Sequence, residues 1–439
     1  MYNTKCTEMN EPPAWLGKRE HINEPLFCEM FLKEIPLNYI DDTFYSVDGT
    51  VDDDELTSII YGILKEHITA GAARKSENIV KALRLECYRK EIAISDKEIH
   101  IHNGVLRTDG NFHAGKQFCR NRLNVDYVPE SRPPERFIKF LSEMLEPDDI
   151  LTLQEYLGYC LVPTTIGQKA LFIIGSGGEG KSCVGAVVKS IFGDSAVTGN
   201  FQAIETDKFS RYKLRNKLVM IDDDMQMTAL PSTGIIKNLI TSKIPVEVEA
   251  KGQQSKQVSL YARFICLGNG SPRALYDKSD GFTRRMIILT TKPVSPDRVI
   301  DPDLTTKLIA EKNSIFMWIF GGLQRLIANN YEFTVSETAR KNLNELAAEN
   351  CNIADYLSDS GYITFDTAFE ATSNDLYGGY SQWCGQNGLT ALKQDTFTGW
   401  LKSNSQRYGI RYSANVLNRE KRRVRGFKGI RAAFTPILL

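Results

Sequence analysis

Eight consecutive residues, Gly175-Ser176-Gly177-Gly178-Glu179-Gly180-Lys181-Ser182, have the spacing G-x-x-x-x-G-K-[ST]. Glycines there let backbone N–H groups curl round a polyphosphate, and a helix that follows adds the partial positive charge of its N-terminus. The flanking sequence supplies that setting. Leu171-Phe172-Ile173-Ile174 reads as a buried strand, and Val184, Val187, Val188, Ile191 and Phe192 form an apolar helical face just after Ser182. In such a loop Lys181 reaches the β and γ phosphates and the Ser182 hydroxyl ligates magnesium. The expected cofactors are therefore ATP and Mg2+. A phosphate loop alone does not separate a kinase, a GTPase and a motor.

The downstream residues carry that distinction. Leu218-Val219-Met220-Ile221 runs into Asp222-Asp223-Asp224. Carboxylates at the tip of a core strand hold magnesium and polarise the attacking water. Three adjacent acids leave the register open: Asp222 with Asp223, or Asp223 with Asp224. Candidate metal ligands are thus Ser182, Asp222 and Asp223, and candidate catalytic carboxylates are Asp223 and Asp224. Phe264 to Leu267 is another apolar strand, ending in Gly268-Asn269. In motor ATPases such an Asn lies between the phosphate-loop and acidic strands and positions the hydrolytic water; a plain Gly-Asn-Gly turn is the alternative.

Between these two strands, Thr233 to Thr241 has helical spacing, and Val246 to Lys251 alternates. Gly252-Gln253-Gln254-Ser255 supplies a turn and Lys256 to Tyr261 returns, so a β-hairpin with Lys251 and Lys256 near its tip is expected. Those lysines suit a phosphate backbone, although an ordinary solvated hairpin has the same pattern. Gly281-Phe282-Thr283-Arg284-Arg285 precedes the last core strand, Met286 to Leu289. Arg284 or Arg285 could enter a neighbouring subunit's nucleotide site, which would make the active unit a ring.

The elements around these motifs divide the chain. At 439 residues, two or three domains are expected. Residues 1–133 read as a mostly helical domain before the motor, with helical spacing at Leu56 to Ile68 and Ile79 to Tyr88. Strand-like alternation runs from Ile92 to Leu106, and prolines mark a linker between Pro129 and Pro134. Residues 134–343 alternate short strands with helices, the pattern of an α/β layered domain. Residues 344–439 are long enough for a third compact domain. The 54 basic residues equal the 54 acidic ones, yet charge is uneven. Asp52-Asp53-Asp54-Glu55 is acidic, whereas Arg407, Arg411, Arg419, Lys421, Arg422, Arg423, Arg425 and Lys428 are opposed only by Glu420. The nine cysteines form no Cys-x-x-Cys pair, which argues against a zinc ribbon or disulfide framework. No apolar run is long enough to span a membrane and no signal peptide is evident, so no membrane partner and a cytoplasmic location are expected.

In order and spacing these motifs resemble the superfamily 3 helicases, specifically the primase–helicase family of poxviruses, phages and plasmids. The residues carrying the resemblance are 175–182, Asp222 to Asp224, the block from Lys237 to Lys251, Leu267-Gly268-Asn269 and Phe282-Thr283-Arg284-Arg285. The resemblance implies an α/β fold: an AAA+ P-loop core, a mostly helical N-terminal domain and a C-terminal winged-helix-like domain. It further implies a hexameric ring that encircles DNA and moves 3′ to 5′ on one strand. By position, Lys181 and Ser182 become nucleotide and magnesium ligands, Asn269 the sensor, Lys251 the pore contact and Arg284 or Arg285 the arginine finger. The basic C-terminal run, with Arg422, Arg423 and Arg425, becomes a duplex-DNA contact. The residues ahead of the match are too few for the primase domain of longer family members, and no primase activity is expected.

The expected function is an ATP-dependent DNA helicase acting in replication of a phage, plasmid or integrated element, bacterial or phage-encoded and nucleoid-associated. Its partners would be single-stranded and forked DNA, copies of itself and a separate primase. The alternatives are an initiator or loader that binds DNA with little translocation, and a nucleotide switch with no DNA partner.

Overall fold

The computed structural model describes residues 12–91, 94–225, 232–241, 244–252, 254–270, 280–297, 301–349, 352–389, 391–418 and 420–432. Of the residues named above, Arg419, Gln253 and Ile92 lie outside this set. The chain forms two compact units. One comprises residues 1–226, 234–269 and 289–336, and the other residues 227–233, 270–288 and 337–439.

The first unit begins with helices α1 (Glu24–Glu34), α2 (Asp53–Leu64) and α3 (Ala72–Glu86). The acidic run at 52–55 has a local use here. Asp52 caps α2 by accepting the N–H of Asp54, and Asp53, Asp54 and Glu55 fill the first turn, where the helix dipole favours negative charge. Leu56, Ile60 and Leu64 of α2 pack with Ile79, Val80 and Leu83 of α3 and Phe27 and Phe31 of α1. Strands β1 (Asn38–Ile40), β2 (Thr43–Ser46) and β3 (Gly49–Val51) form one small antiparallel sheet. A second contains β4 (Glu98–Ile101), β5 (Gly104–Arg107) and β6 (Phe112–Ala114).

Helices α4 (Glu135–Met144) and α5 (Pro147–Tyr159) lead into the central sheet. Its strands are β7 (Ala170–Gly175), β8 (Ala196–Thr198), β9 (Val219–Met225), β12 (Arg263–Asn269) and β13 (Met286–Thr290), in the order β13-β7-β12-β9-β8. The pairs β7–β12, β12–β9 and β9–β8 are parallel. Every residue of β7 is buried, as expected of a parallel strand covered on both faces. Helix α6 (Lys181–Phe192) follows β7; α7 (Ala203–Thr206), α8 (Lys208–Tyr212) and α9 (Gly234–Thr241) fill later connections. Strands β10 (Val246–Val248) and β11 (Lys256–Val258) make a separate antiparallel pair. Short helix α10 (Asp280–Thr283) precedes β13, and α11 (Leu304–Ile309) and α12 (Lys312–Ala328) follow it. Helix α12 lies close on α5: a Cβ on Gly158 would collide with the backbone of Leu323, and one on Gly322 with the carbonyl of Gln154. An ion pair from half-exposed Arg325 Nε to buried Glu155 Oε1, at 2.6 Å, joins the same two helices.

The second unit, to which α10 and residues 286–288 of β13 also belong, holds α13 (Glu337–Glu349), α14 (Asn352–Ser358), β14 (Ile363–Thr372), α15 (Ser373–Gln386), α16 (Gln394–Ser403), β15 (Arg411–Leu417) and β16 (Arg423–Ala432). The three strands form an antiparallel sheet ordered β14-β16-β15. Tyr356, Leu376, Tyr380, Phe397, Leu401, Phe427 and Ile430 build its core. Thr372 caps α15, accepting the Asp375 N–H at 3.0 Å while its hydroxyl donates to Asp375 Oδ2 at 2.7 Å. Both units together are of mixed α/β class. Among the described residues no helix is long and apolar enough to cross a membrane.

Candidate functional site

The site is built at the carboxyl ends of β7, β12 and β9. Strand β7 stops at Gly175, and Gly177, Gly178 and Gly180 take φ angles of 112°, 85° and 103°, a region that residues with a Cβ rarely enter. The chain thereby turns through Gly175–Ser182 and delivers Lys181, which is buried, to the first turn of α6. Ser182 beside it is exposed.

Glu179 is the most engaged side chain of the loop. Its Oε1 accepts the N–H groups of Ser176 at 2.5 Å and Gly177 at 2.8 Å, and its Oε2 accepts from Lys181 Nζ at 2.6 Å. Burial alone would raise the carboxyl's pKa. The hydrogen bonds from Lys181 and from the backbone of Glu179, Gly177 and Ser176 outweigh burial and hold it at about 2.

Strand order places β12 between β7 and β9. Asn269 is paired in register with Gly175, and its Oδ1 lies 3.9 Å from where a Cβ on Gly177 would stand. Asn269 is thus beside the loop, on the side where β9 follows.

The three acids of β9 are not equivalent. A Cβ on Gly185, one turn along α6 from Lys181, would lie 3.4 Å from Asp223 Oδ1, near Ile221 and Leu267 as well. Asp223 therefore faces the helix that carries the loop. Asp222 faces the other way: it is buried, its Oδ2 accepts the Phe201 N–H at 2.7 Å, and Phe201 packs on Phe172 and Phe264. Burial pushes the Asp222 carboxyl upward against that hydrogen bond, and the neighbouring Asp224 and Asp223 add to the rise. A bulge follows, since Cys266 pairs with Asp222 but Gly268 pairs with Met225. Asp223 and Asp224 occupy the bulge and are both exposed. Of the two registers open in the sequence, the pair left exposed is Asp223 with Asp224, and of these Asp223 is the one placed beside α6. The expectation of Asp222 as a metal ligand meets a carboxylate already committed to Phe201.

One further residue belongs with this group. Thr291 follows β13, and its N–H donates to the Ile174 carbonyl at 2.8 Å. Its hydroxyl stands where a Cβ on Gly175 would be, buried and without a hydrogen-bond partner among the described residues. The sequence signal was weak: a polar residue just after the last apolar core strand. Among the described residues no group of three or more His, Cys, Asp and Glu forms a ready-made metal site.

The lysines and arginines are carried by other elements. Lys251 is exposed in the turn between β10 and β11, beside Gly252 with φ 77°. Lys256 opens β11 and pairs with Asp42 Oδ2 at 3.1 Å, so its charge is partly spent on the N-terminal region. Arg284 is exposed and Arg285 half-buried in the turn between α10 and β13. Burial, and then the adjacent Arg284, lower the pKa of the Arg285 guanidinium. Arg422, Arg423 and Arg425 are exposed at the β15–β16 connection and the start of β16. Arg422 reaches Glu420 at 3.3 Å, and Arg423 and Arg425, two residues apart on the strand, share one face.

A sequence profile of a family of unknown function, DUF5906, matches residues 173–285, a span holding the loop, the three acids, the hairpin and the arginine pair. The apo structure of the NrS-1 C terminal region (305–718) is similar over 93% of this chain and 100% of that chain, with 13% identity and a TM-score of 0.51. A second structure of that region, the A form apo structure (305–718), covers 92% of this chain and 100% of its own, at 13% identity and a TM-score of 0.49. At 13% identity the first likeness is one of fold, and it extends through both units.

Proposed function

We propose that the chain is a P-loop ATPase of the superfamily 3 helicase type, a ring-forming AAA+ motor that separates DNA strands during replication of a phage, plasmid or integrated element. The observation that carries the reading is the convergence of Gly175–Ser182, Asn269 and Asp223 at the ends of adjacent strands β7, β12 and β9. Whether an anion suits the loop is answered by Glu179, whose carboxylate already sits on the loop amides and the Lys181 ammonium. The residues present therefore fit the phosphates of ATP. Bound ATP with Mg2+ would supply a transferable phosphoryl group and its charge neutralisation.

The chain's own residues divide the work. The loop amides and Lys181 bind phosphate oxygens, and Ser182 with Asp223 would hold the magnesium. Asp224 and Asn269 orient and polarise the attacking water. Thr291 adds a hydroxyl beside Gly175. Arg284 or Arg285 would complete the site of a neighbouring subunit. Lys251, exposed at its turn, would hold the phosphate backbone of single-stranded DNA, with Lys256 a lesser contact because of Asp42. The alternation of helices and strands in the second unit, with its β15–β16 hairpin, suits a winged-helix-like domain. Arg422, Arg423 and Arg425 on that hairpin would meet duplex DNA.

The test is DNA-stimulated ATP hydrolysis together with unwinding of a forked duplex. Both should be lost in Lys181→Ala, and normal unwinding by that variant would sink the reading. The exposed arginines at the hairpin favour a second reading, an initiator or loader. It predicts ATP-dependent DNA binding with no strand separation in the same assay. A separate primase chain and a nucleoid-associated, cytoplasmic setting belong to the helicase proposal.

A further inference from the structure

We propose that Glu179 is a built-in occupant of the phosphate loop, so that nucleotide enters only by displacing its carboxylate. This rests on the ATP-binding reading above and adds a regulation of that site. Glu179 stands at a position of the loop where the motif asks for no particular side chain. Its two oxygens nevertheless take the N–H groups of Ser176 and Gly177, at 2.5 and 2.8 Å, and the Lys181 ammonium, at 2.6 Å. Backbone amides of the turn and the loop lysine are the donors that phosphate-loop chemistry assigns to a polyphosphate.

The contact is built in rather than a passing surface pair. The Glu179 and Lys181 side chains are 3% and 8% exposed, out of the water that would screen them. The carboxylate also lies close against the strand end: a Cβ on Gly175 would stand 2.6 Å from Glu179 Oε1, and nearer still to the Thr291 hydroxyl. Ser176, Gly177 and Gly178 are by contrast exposed. The carboxylate can leave on that outer side while β7 and α6 stay folded. Two anions cannot share these donors, because the carboxylate and a phosphate oxygen would repel at contact distance.

Such an occupant keeps the lysine neutralised and the amides satisfied between nucleotides, and it lowers apparent affinity by the fraction of time the loop is open. A nucleotide that pushes Glu179 out gains a loop carboxylate free to move, which is a local signal that the site is filled.

The experiment is a calorimetric titration of the full chain with inorganic tripolyphosphate, and separately with ADP, at one fixed salt concentration. Wild type is compared with Glu179→Ala, Glu179→Gln, Glu179→Asp and, as a control, Lys181→Ala. Removing the charge behind the three hydrogen bonds that hold the loop shut should tighten tripolyphosphate binding roughly 10- to 100-fold in the alanine and glutamine variants. The aspartate variant keeps the charge but loses the reach to span the amides and Lys181, and should tighten binding by a smaller factor. It also serves if a larger change prevents folding, which melting curves will reveal. Binding no tighter than wild type in every folded Glu179 variant overturns the occupant and leaves the ATP reading standing. Absence of binding in wild type and all variants overturns both.

Discussion

At the scale of single residues, strand alternation and a bulge give neighbouring carboxylates different surroundings. Asp223 faces α6 beside Gly185, while Asp222 is buried on the Phe201 N–H. Asp223→Asn should therefore leave nucleotide binding intact and cut hydrolysis on the order of 100-fold or more, seen as turnover against affinity. Asp222→Ala should instead lower stability by about 1–3 kcal/mol, because the buried Phe201 N–H is left without its acceptor; urea unfolding measures it. If Asp222→Ala abolishes hydrolysis at unchanged stability, the assignment of the pair is wrong. Glu179 sets a pH dependence of its own. Its folded pKa, about 2, lies below the ordinary carboxylate value, so its contribution is fully present above the unfolded value. That contribution, roughly 2–3 kcal/mol, is lost as pH falls toward 2. Between pH 5 and 2 the wild type should lose more stability than Glu179→Gln, by denaturant midpoints at each pH.

At the scale of elements, the loop, its strand and its helix were legible because their residue types leave little choice. An apolar strand, a glycine run and an amphipathic helix occur together in 170–192. Asn269 was legible from its place at a strand end. The bulge opposite Leu267 was not, since a period-two reading of Asp222 to Asp224 carries no sign of an extra residue. Strands β1 to β3, of three or four residues each, were too short to show alternation within a region that otherwise reads as helix. The acid run at 52–55 read only as a local excess of negative charge and is a helix start. Lys256 looked like a partner of Lys251, but its ion pair with Asp42 is a contact over a long sequence separation that local pattern cannot reveal. The close crossing of α5 and α12 was likewise hidden in two ordinary glycines, Gly158 and Gly322. Gly322→Ala would press a methyl group on the Gln154 carbonyl and should cost about 1–3 kcal/mol, read as a lower melting temperature. A melting temperature equal to wild type would show that the helices separate freely.

At the scale of the whole molecule, the proposed function depends on copies of the chain acting together. The loop, Asp223 and Asn269 belong to the first unit, while Arg284 and Arg285 belong to the second. If either arginine acts on a neighbour's nucleotide, two defective proteins should repair each other. A Lys181→Ala subunit keeps its arginines but has a dead loop. A subunit with Arg284→Ala and Arg285→Ala keeps its loop but has no finger. Each alone should be inactive. In an equal mixture that assembles at random, about one interface in four joins an intact loop to an intact arginine, so hydrolysis should return toward roughly a quarter of the wild-type rate. If the arginines serve only their own subunit, every site in the mixture lacks either the loop lysine or the finger, and no activity returns. The single arginine variants, mixed in the same way, then identify which of Arg284 and Arg285 crosses the interface. Recovery by one and not the other follows if the half-buried Arg285 supports the turn before β13 while the exposed Arg284 reaches outward. Mixing must precede addition of nucleotide and DNA, because a ring closed round a strand exchanges subunits slowly.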